Sequence, residues 1–413
     1  MIAALSLIAL FTTIVIGIIK PKVNIGLVAL AFAVPIGMIL AKLTEKQIVT
    51  LFPSGLFLTL LGVTAFFGVF EQNGLLSYLA DKTRGVAKTR PFMLPILFFI
   101  FTAILSASGP GNIASTAMIA PIGMSMAYAY GISPLLMAIM ICTGANAGAF
   151  SPIAPTGVIL SELGKNIKVI DPNIYLQIFL SAFVIQSISA VLAFFIFFRK
   201  RYKDEKIMRE SKLEEKVWTF KYTVSVLALI VLLVAITLFK LPLGFTSILL
   251  AVILMLFEVS DTEKVFSNIP WEALILVCGV SVLIGVLEKA GGLELATSLL
   301  ANVGGKGNIN GLLAFTTGVV SAYSSSSGVV MPAFIPLVPG LISKIGGGDT
   351  VKMLTSIAVG SHMVDVSPLS TLGALCIAQA KGDKQKLFRS LMIWGLSMAV
   401  FGTIISYVIL DLL

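Results

Sequence analysis

The sequence predicts an all-α integral membrane protein built from two inverted-topology repeats. Three observations carry that expectation. Only 12% of the 413 residues are charged, 57% are hydrophobic, and the mean hydropathy is +1.02. Apolar stretches long enough for a spanning helix, about 20 residues, recur along the whole chain. Glycine and proline landmarks of the first half return in the second at a nearly constant offset.

The composition excludes a soluble enzyme or binding domain, which carries roughly 25% charged residues to face water. The longest polar run, Arg199 to Lys216, is too short to build a core of its own. Residues 1–19 lack a basic leading segment and a small-residue cleavage site, so they read as a first spanning helix and not as a removed signal peptide. Cys142, Cys278 and Cys376 lie in apolar segments without metal-ligand spacing and read as small buried hydrophobes. The formal charge of +9 is accounted for by its distribution over loops, and nucleic acid is not an expected partner.

Spans are expected near 2–19, 24–41, 52–71, 134–163, 173–198, 219–239, 243–258, 270–288, 351–380 and 388–410. Stretches 92–129 and 308–343 are each interrupted by a cluster of small polar residues. Such a cluster facing lipid would leave backbone groups unpaired, so each stretch is expected to be a re-entrant hairpin. Spans 134–163 and 351–380 carry breaks at Ser151-Pro152 and Ser367-Pro368. Breaks at membrane depth are tolerated where they line a cavity.

Basic residues set the orientation. If the Lys82–Arg90 loop is cytoplasmic, so are the loops with Lys20 and Lys22, Arg199 to Lys221, Lys264, and Lys381 to Arg389. That side then holds 20 of the 29 Lys and Arg and the other side holds 9, with both termini extracytoplasmic in a plasma (inner) membrane.

Three segments repeat in order. Pro53, Gly62, Gly68, Glu71 and Gly74 match Pro270, Gly279, Gly285, Glu288 and Gly291, 217 residues on. Ser106-Ala107 and Pro121 match Ser321-Ala322 and Pro336, 215 on, and Gly144, Ser151-Pro152 and Gly157 match Gly360, Ser367-Pro368 and Gly373, 216 on. The division is 1–198, a linker 199–218 and 219–413. Five crossings per unit, with the hairpin not crossing, invert the second copy. That is the architecture of secondary transporters, whose site lies at the midplane between repeats.

The two hairpin tips and two breaks hold the candidate site. Hydroxyls, amides and bare backbone suit a hard cation such as sodium. Half-helix N-termini suit a carboxylate. The expected substrate contacts are Asn112, Ser115, Thr116, Thr156, Ser326, Ser327, Ser370 and Thr371. The expected sodium ligands are Ser106, Ser108, Asn112, Asn146, Gly148, Ser325, Ser326, Ser361 and Asp365. Scattered Ser, Thr and Gly also line helix contacts in membranes without binding anything. Asp365 is the only acid placed deep in a span, where burying a charge is costly, so it reads as a cation ligand or proton carrier. His362, the single histidine, reads either as a coupling group or as a hydrogen-bonded bundle residue. Glu71, Glu272 and Glu288 fall near span ends, where a solvated role is expected.

At these residues the chain resembles the ion transporter superfamily, within it the divalent anion/sodium symporters and their malonate-carrier-like branch. The segment Ile269 to Gly279, followed by Glu288-Lys289-Ala290-Gly291-Gly292, resembles the family stretch before its second hairpin. The family's Ser-Asn-Thr motif stands nine residues before a proline. That count gives Gly111-Asn112-Ile113 before Pro121 and Ser326-Ser327-Gly328 before Pro336, so Asn112 and Ser326 carry the match and the threonine is absent from both. The resemblance implies a homodimer with a scaffold and a transport domain that moves as an elevator. It also implies substrate and sodium contacts at Asn112 and Ser326, with Ser106 or Ser108 beside them, and a cation ligand at Gly148.

The resulting expectation is a secondary active carrier of C3–C4 dicarboxylate-like anions driven by sodium, with no other cofactor. Proton coupling or anion exchange through Asp365 is the alternative. A membrane enzyme would need a nucleophile–base or metal constellation, and a channel a symmetric filter; neither pattern is present in the sequence.

Overall fold

The computed structural model describes residues 2–20, 23–75, 78, 91–199, 217–305, 307–322 and 325–412. The basic loop Lys82–Arg90, most of the linker (200–216), and Lys22, Lys306 and Ser324 lie outside them. The described residues form helices and connections, with no strand among them.

In the first half these are α1 (Ile2–Ile19), α2 (Ile25–Leu40), α3 (Glu45–Thr50), α4 (Ser54–Gln72), α5 (Leu94–Ala107), α6 (Gly111–Ala129), α7 (Pro134–Ala149), α8 (Pro155–Asn166) and α9 (Pro172–Phe197). In the second half they are α10 (Phe220–Thr237), α11 (Leu243–Leu256), α12 (Thr262–Asn268), α13 (Trp271–Lys289), α14 (Gly292–Val303), α15 (Ile309–Ser321), α16 (Ser326–Lys344), α17 (Thr350–Met363), α18 (Thr371–Ala378) and α19 (Lys384–Ser406). Many starts are written into the sequence as a capping side chain followed by a residue suited to the first turn. Ser133 and Asp171 cap α7 and α9 and are each followed by proline, while Asn24, Asp261, Asp349 and Asp383 cap α2, α12, α17 and α19.

By length and composition α4, α9, α16 and α19 are each able to cross a bilayer, and several shorter apolar helices accompany them. The outward faces are apolar: Leu180, Val184, Val191 and Phe195 on α9 are all more than half exposed. A water-soluble protein does not leave such a stripe uncovered. The chain is a multi-pass helical membrane protein.

Two expectations need amendment. The second arm of the 308–343 hairpin, α16, is long enough to cross on its own; it starts π-wound at Ser326 and tightens at Ile335–Leu337, where Pro332, Pro336 and Pro339 remove backbone donors. Helix α14, absent from the expected spans, leaves α13 at 85°. The bend is made by Gly291, whose φ of 77° is left-handed and open to glycine at no steric cost.

The close helix crossings occur twice. A Cβ on Gly26 would overlap the Ile275 carbonyl oxygen, and one on Gly279 the Gly26 carbonyl oxygen, so α2 and α13 touch backbone to backbone. Helices α4 and α11 do the same, with Gly62 against the Gly244 carbonyl and Gly244 against Thr59. Gly62 and Gly279 are 217 residues apart, and Gly26 and Gly244 are 218 apart. Likewise Gly144 of α7 abuts the Phe99 carbonyl of α5, and Gly360 of α17 abuts the Ala314 carbonyl of α15. Small residues at such crossings let backbones approach where no hydrophobic drive separates protein from lipid.

Candidate functional site

The second break is the centre of the site. Helix α17 ends at Met363, and Val364–Ser370 turn before α18, held by Ser367 N–H to Val364 O at 2.8 Å and Ser370 N–H to Ser367 O at 3.0 Å. Asp365 lies in this turn and is 5% exposed. Ser326 Oγ stands 2.6 Å from Asp365 Oδ1, 2.6 Å from Ser321 Oγ and 3.0 Å from Ser361 O. A hydroxyl has one proton to give, and a carboxylate is the strongest acceptor there. The relay therefore runs Ser321 to Ser326 to Asp365, with Ser370 Oγ adding a longer bond of 3.4 Å.

The first half reaches this centre through two amides. Asn112, in the first turn of α6, donates to Asn146 Oδ1 at 2.9 Å, and Asn146 donates to the His362 carbonyl at 2.9 Å. Asn146 and His362 are 216 residues apart, so corresponding positions of the two halves meet here. Asn146→Leu strips the Asn112 amide of its partner, while the His362 carbonyl still accepts from the Val364 and Asp365 N–H groups. At about 1–3 kcal/mol for each buried group left unpaired, it should lower the melting temperature of the purified protein; an unchanged value would contradict this assignment.

A cavity of about 250 Å³ opens against this network, with polar walls from Asn112, Ser325, Ser326, Ser327, His362, Asp365, Ser370 and Thr371. Ile25, Ile113, Leu369 and Leu372 complete it. It is below the roughly 300–1,000 Å³ typical of sites for drug-sized molecules, so its occupant is small. Among the described residues no Lys or Arg lines it. Positive potential comes instead from a helix start: Ser370 makes no side-chain cap to α18, whose Thr371 and Leu372 line the cavity, whereas at the start of α6 the Ile113 N–H is taken by Asn112 Oδ1 at 3.0 Å. Uncapped N–H groups of this kind bind anions. Among the described residues no group of three or more His, Cys, Asp or Glu gathers to hold a metal. A cation here would rely on the Asp365 carboxylate with hydroxyl and carbonyl oxygens.

A second cavity of about 230 Å³ shares Asn112, Ile113 and Ser327 with the first and runs past Thr64, Thr156 and Asn268 to Glu71. A third, of about 770 Å³, is lined by Pro53, Ser281, Gly285, Glu288 and Lys168 and shares no residue with the first. Thr64, Gly68 and Glu71 in one correspond to Ser281, Gly285 and Glu288 in the other, 217 residues apart.

Several expected ligands stand elsewhere. Ser108 Oγ donates to Leu105 O at 2.9 Å and Ser361 Oγ to Ile357 O at 2.7 Å, each turned back into its own helix. The Gly148 carbonyl already accepts from Phe150 N and Ser151 N as α7 ends, and its α-carbon packs on α5. Ser106, Ser115 and Thr116 are buried without hydrogen-bond partners and line none of these cavities. Thr156 lines the second cavity only. Sequence reasoning missed Ile25, which sits in an unmarked apolar run, and Phe150, whose ring meets His362 edge-on at 4.7 Å.

A family model described as the N-terminus of the dicarboxylate carrier protein MatC matches residues 1–149. That stretch ends with α7 and includes Asn112 and Asn146. No curated protein matches the chain in sequence. Among solved structures, MtrF of Neisseria gonorrhoeae, described with a class of antimetabolite efflux pumps, aligns at a TM-score of 0.61 and 13% identity, over 89% of this chain and 83% of that one. The chain thus shares its fold with that protein and, over residues 1–149, is similar in sequence to a dicarboxylate carrier family model.

Proposed function

We propose that the chain is a secondary active transporter of small dicarboxylates, C3–C4 in length, coupled to sodium and working by an elevator mechanism as a homodimer. The observation that carries this reading is the small cavity where a buried carboxylate, a hydroxyl relay and the uncapped start of α18 meet with no Lys or Arg among the described residues. An anion bound at the helix start beside Asp365 needs a cation between them, because like charges in a low-dielectric site repel strongly. Coupling follows from that requirement: neither ion is well held alone. The matching carrier sequence and the shared pump fold support transport of this class.

The recurrent glycine crossings support two inverted repeats. In this reading α5–α8 and α15–α18 carry the substrate, and α1–α4 and α10–α14 form the scaffold. The first and second cavities share Asn112, Ile113 and Ser327 in their walls, which supports entry of solute from the Glu71 end. The basic-loop rule makes that end cytoplasmic and both termini extracytoplasmic, in the inner (plasma) membrane. Proton coupling is the second reading, favoured by Asp365 being the one acid among the described residues of the cavity wall.

The test uses proteoliposomes and a labelled dicarboxylate. Replacing external sodium with choline should remove concentrative uptake. Full uptake in choline that collapses when the pH gradient is dissipated would overturn sodium coupling and favour the proton.

A further inference from the structure

One end of the bundle carries a pocket for which transport has no use. Helix α9 has 26 residues. At 1.5 Å per residue it is about 39 Å long, more than the roughly 30 Å of hydrocarbon in a bilayer. Its start at Asp171 and its end at Arg199 therefore stand at the headgroup levels of the two leaflets. At the Arg199 end a cavity of about 420 Å³ lies between the residues that lead into α5, the α6–α7 turn and the end of α9. Phe92, Tyr130, Phe194, Phe198 and Arg199 are in its wall. It shares no residue with the three cavities described above. Its volume is within the roughly 300–1,000 Å³ of sites that hold small molecules.

The wall combines one cation with aromatic rings. Phe194 and Phe198 stack at 15° with 5.4 Å between ring centroids, and the Arg199 guanidinium carbon lies 5.7 Å from the Phe198 centroid. A ring face holds the guanidinium without consuming its N–H donors, which stay free for the paired bonds that fit a phosphate. Among the described residues no carboxylate pairs with Arg199, and no Asp or Glu lines the cavity. In sequence, basic residues adjoin the wall on both sides, Arg90 before Pro91 and Lys200-Arg201 after Arg199.

The apolar part of the wall runs on towards the lipid. Val184, Ile188, Val191, Phe195 and Phe198 recur at steps of four and three residues, so they share one face of α9, and all are exposed. Phe198 thus belongs both to the pocket and to a stripe that an acyl chain would cover. Phe92 across the cavity is 58% exposed. A soluble anion would leave these rings uncovered, whereas a phospholipid covers them and brings the phosphate. Choline or ethanolamine headgroups add an ammonium, which Arg199 repels.

We propose that this pocket binds the headgroup of an anionic phospholipid, with the phosphate on Arg199 and an acyl chain along the 184–198 face of α9. The site uses no residue of the Asp365 cavity and stands whether or not the chain carries dicarboxylates.

Native mass spectrometry of the full-length protein in detergent gives the dissociation constant of the first bound lipid. Phosphatidylglycerol should bind roughly fivefold tighter than phosphatidylcholine of the same acyl chains, the gain from one basic residue near an anionic lipid. Arg199→Gln should bring the two lipids within about twofold of each other, and Phe92→Glu should weaken phosphatidylglycerol by like-charge repulsion. Both side chains are exposed, so neither change empties a packed core. Lys264→Gln, an exposed basic residue outside the pocket, should leave the preference intact. Soluble glycerol 3-phosphate should not displace the lipid. Equal binding of both lipids to the wild-type protein would reduce the site to ordinary lipid contact and overturn the proposal. A preference unchanged in Arg199→Gln would place the lipid elsewhere, and displacement by glycerol 3-phosphate would make the ligand a soluble anion; either result overturns it too. The wild-type comparisons decide the question even if a variant does not fold.

Discussion

Asp365→Asn should abolish concentrative uptake while the protein still folds and retains part of its exchange activity. The substitution keeps the shape of the side chain and an oxygen able to accept from Ser326, 2.6 Å away. It removes only the charge. A carboxylate in the middle of a membrane bundle is a standing cost to stability, so its neutral isostere should be tolerated or even stabilising in the fold. The loss should fall on function instead. Without the negative charge the coupling cation loses its one charged ligand, and truncating one side of a buried charge interaction is worth about 2–5 kcal/mol. That corresponds to at least roughly a 30-fold loss of cation affinity, so uptake against a gradient should fall to the level of empty vesicles. Exchange of labelled for unlabelled substrate across equal concentrations demands no net cation movement and should be only partly reduced. Unaltered concentrative uptake in the variant would remove Asp365 from the coupling mechanism, whichever ion is used.

The second large effect is on the fold. Gly26→Leu and Gly279→Leu should each prevent recovery of folded protein from the membrane, and the alanine variants should be destabilised by about 1–3 kcal/mol, the range for overpacking. Any Cβ at either position overlaps a backbone carbonyl of the opposing helix, and a main chain cannot swing aside as a side chain does. Gly55 and Gly307 supply the control, because nothing lies within 4 Å of where their Cβ atoms would be. Size-exclusion profiles and melting temperatures of the four alanine variants, purified in parallel, measure the contrast. Equal stability across all four would mean that α2 and α13 do not cross as described.

Helix positions were largely legible because apolar runs and caps are local signals. Ser133-Pro134, Asp171-Pro172 and Asp349 announce where helices begin, and Ser151-Pro152 and Ser367-Pro368 announce where they break. Helices α3 and α12 were not legible from hydropathy, being only 6 and 7 residues long. The bend into α14 was hidden because Gly291 signals a turn but not its angle. Within the site, Asp365 and Ser326 could be read from the sequence. An acid at membrane depth is too costly to keep facing lipid, and a run of hydroxyls suits a cavity wall. Ser115 and Thr116 could not be separated from Asn112 by type alone. They stand three and four residues further along the same helix and are buried in packing, while Asn112 in the first turn reaches the cavity. Ser108 and Ser361 show a related ambiguity, as a helical hydroxyl satisfies itself on the preceding turn unless something better is in reach.

The meeting of Asn146 with His362 bears on why the two halves are one polypeptide. The corresponding pair three residues on is Ala149 and Asp365, again 216 apart. Two copies of the first half would bring together two amides and two alanines, with no acid at all. Two copies of the second would bring two imidazoles and two aspartates into the same confined space, where the acids repel. Neither self-assembly reproduces the centre. Joining unlike halves frees each axial position to specialise, one as an amide that bridges the halves and the other as an imidazole packed beside the acid. A gene split between residues 199 and 218 should therefore work only when both fragments are produced together.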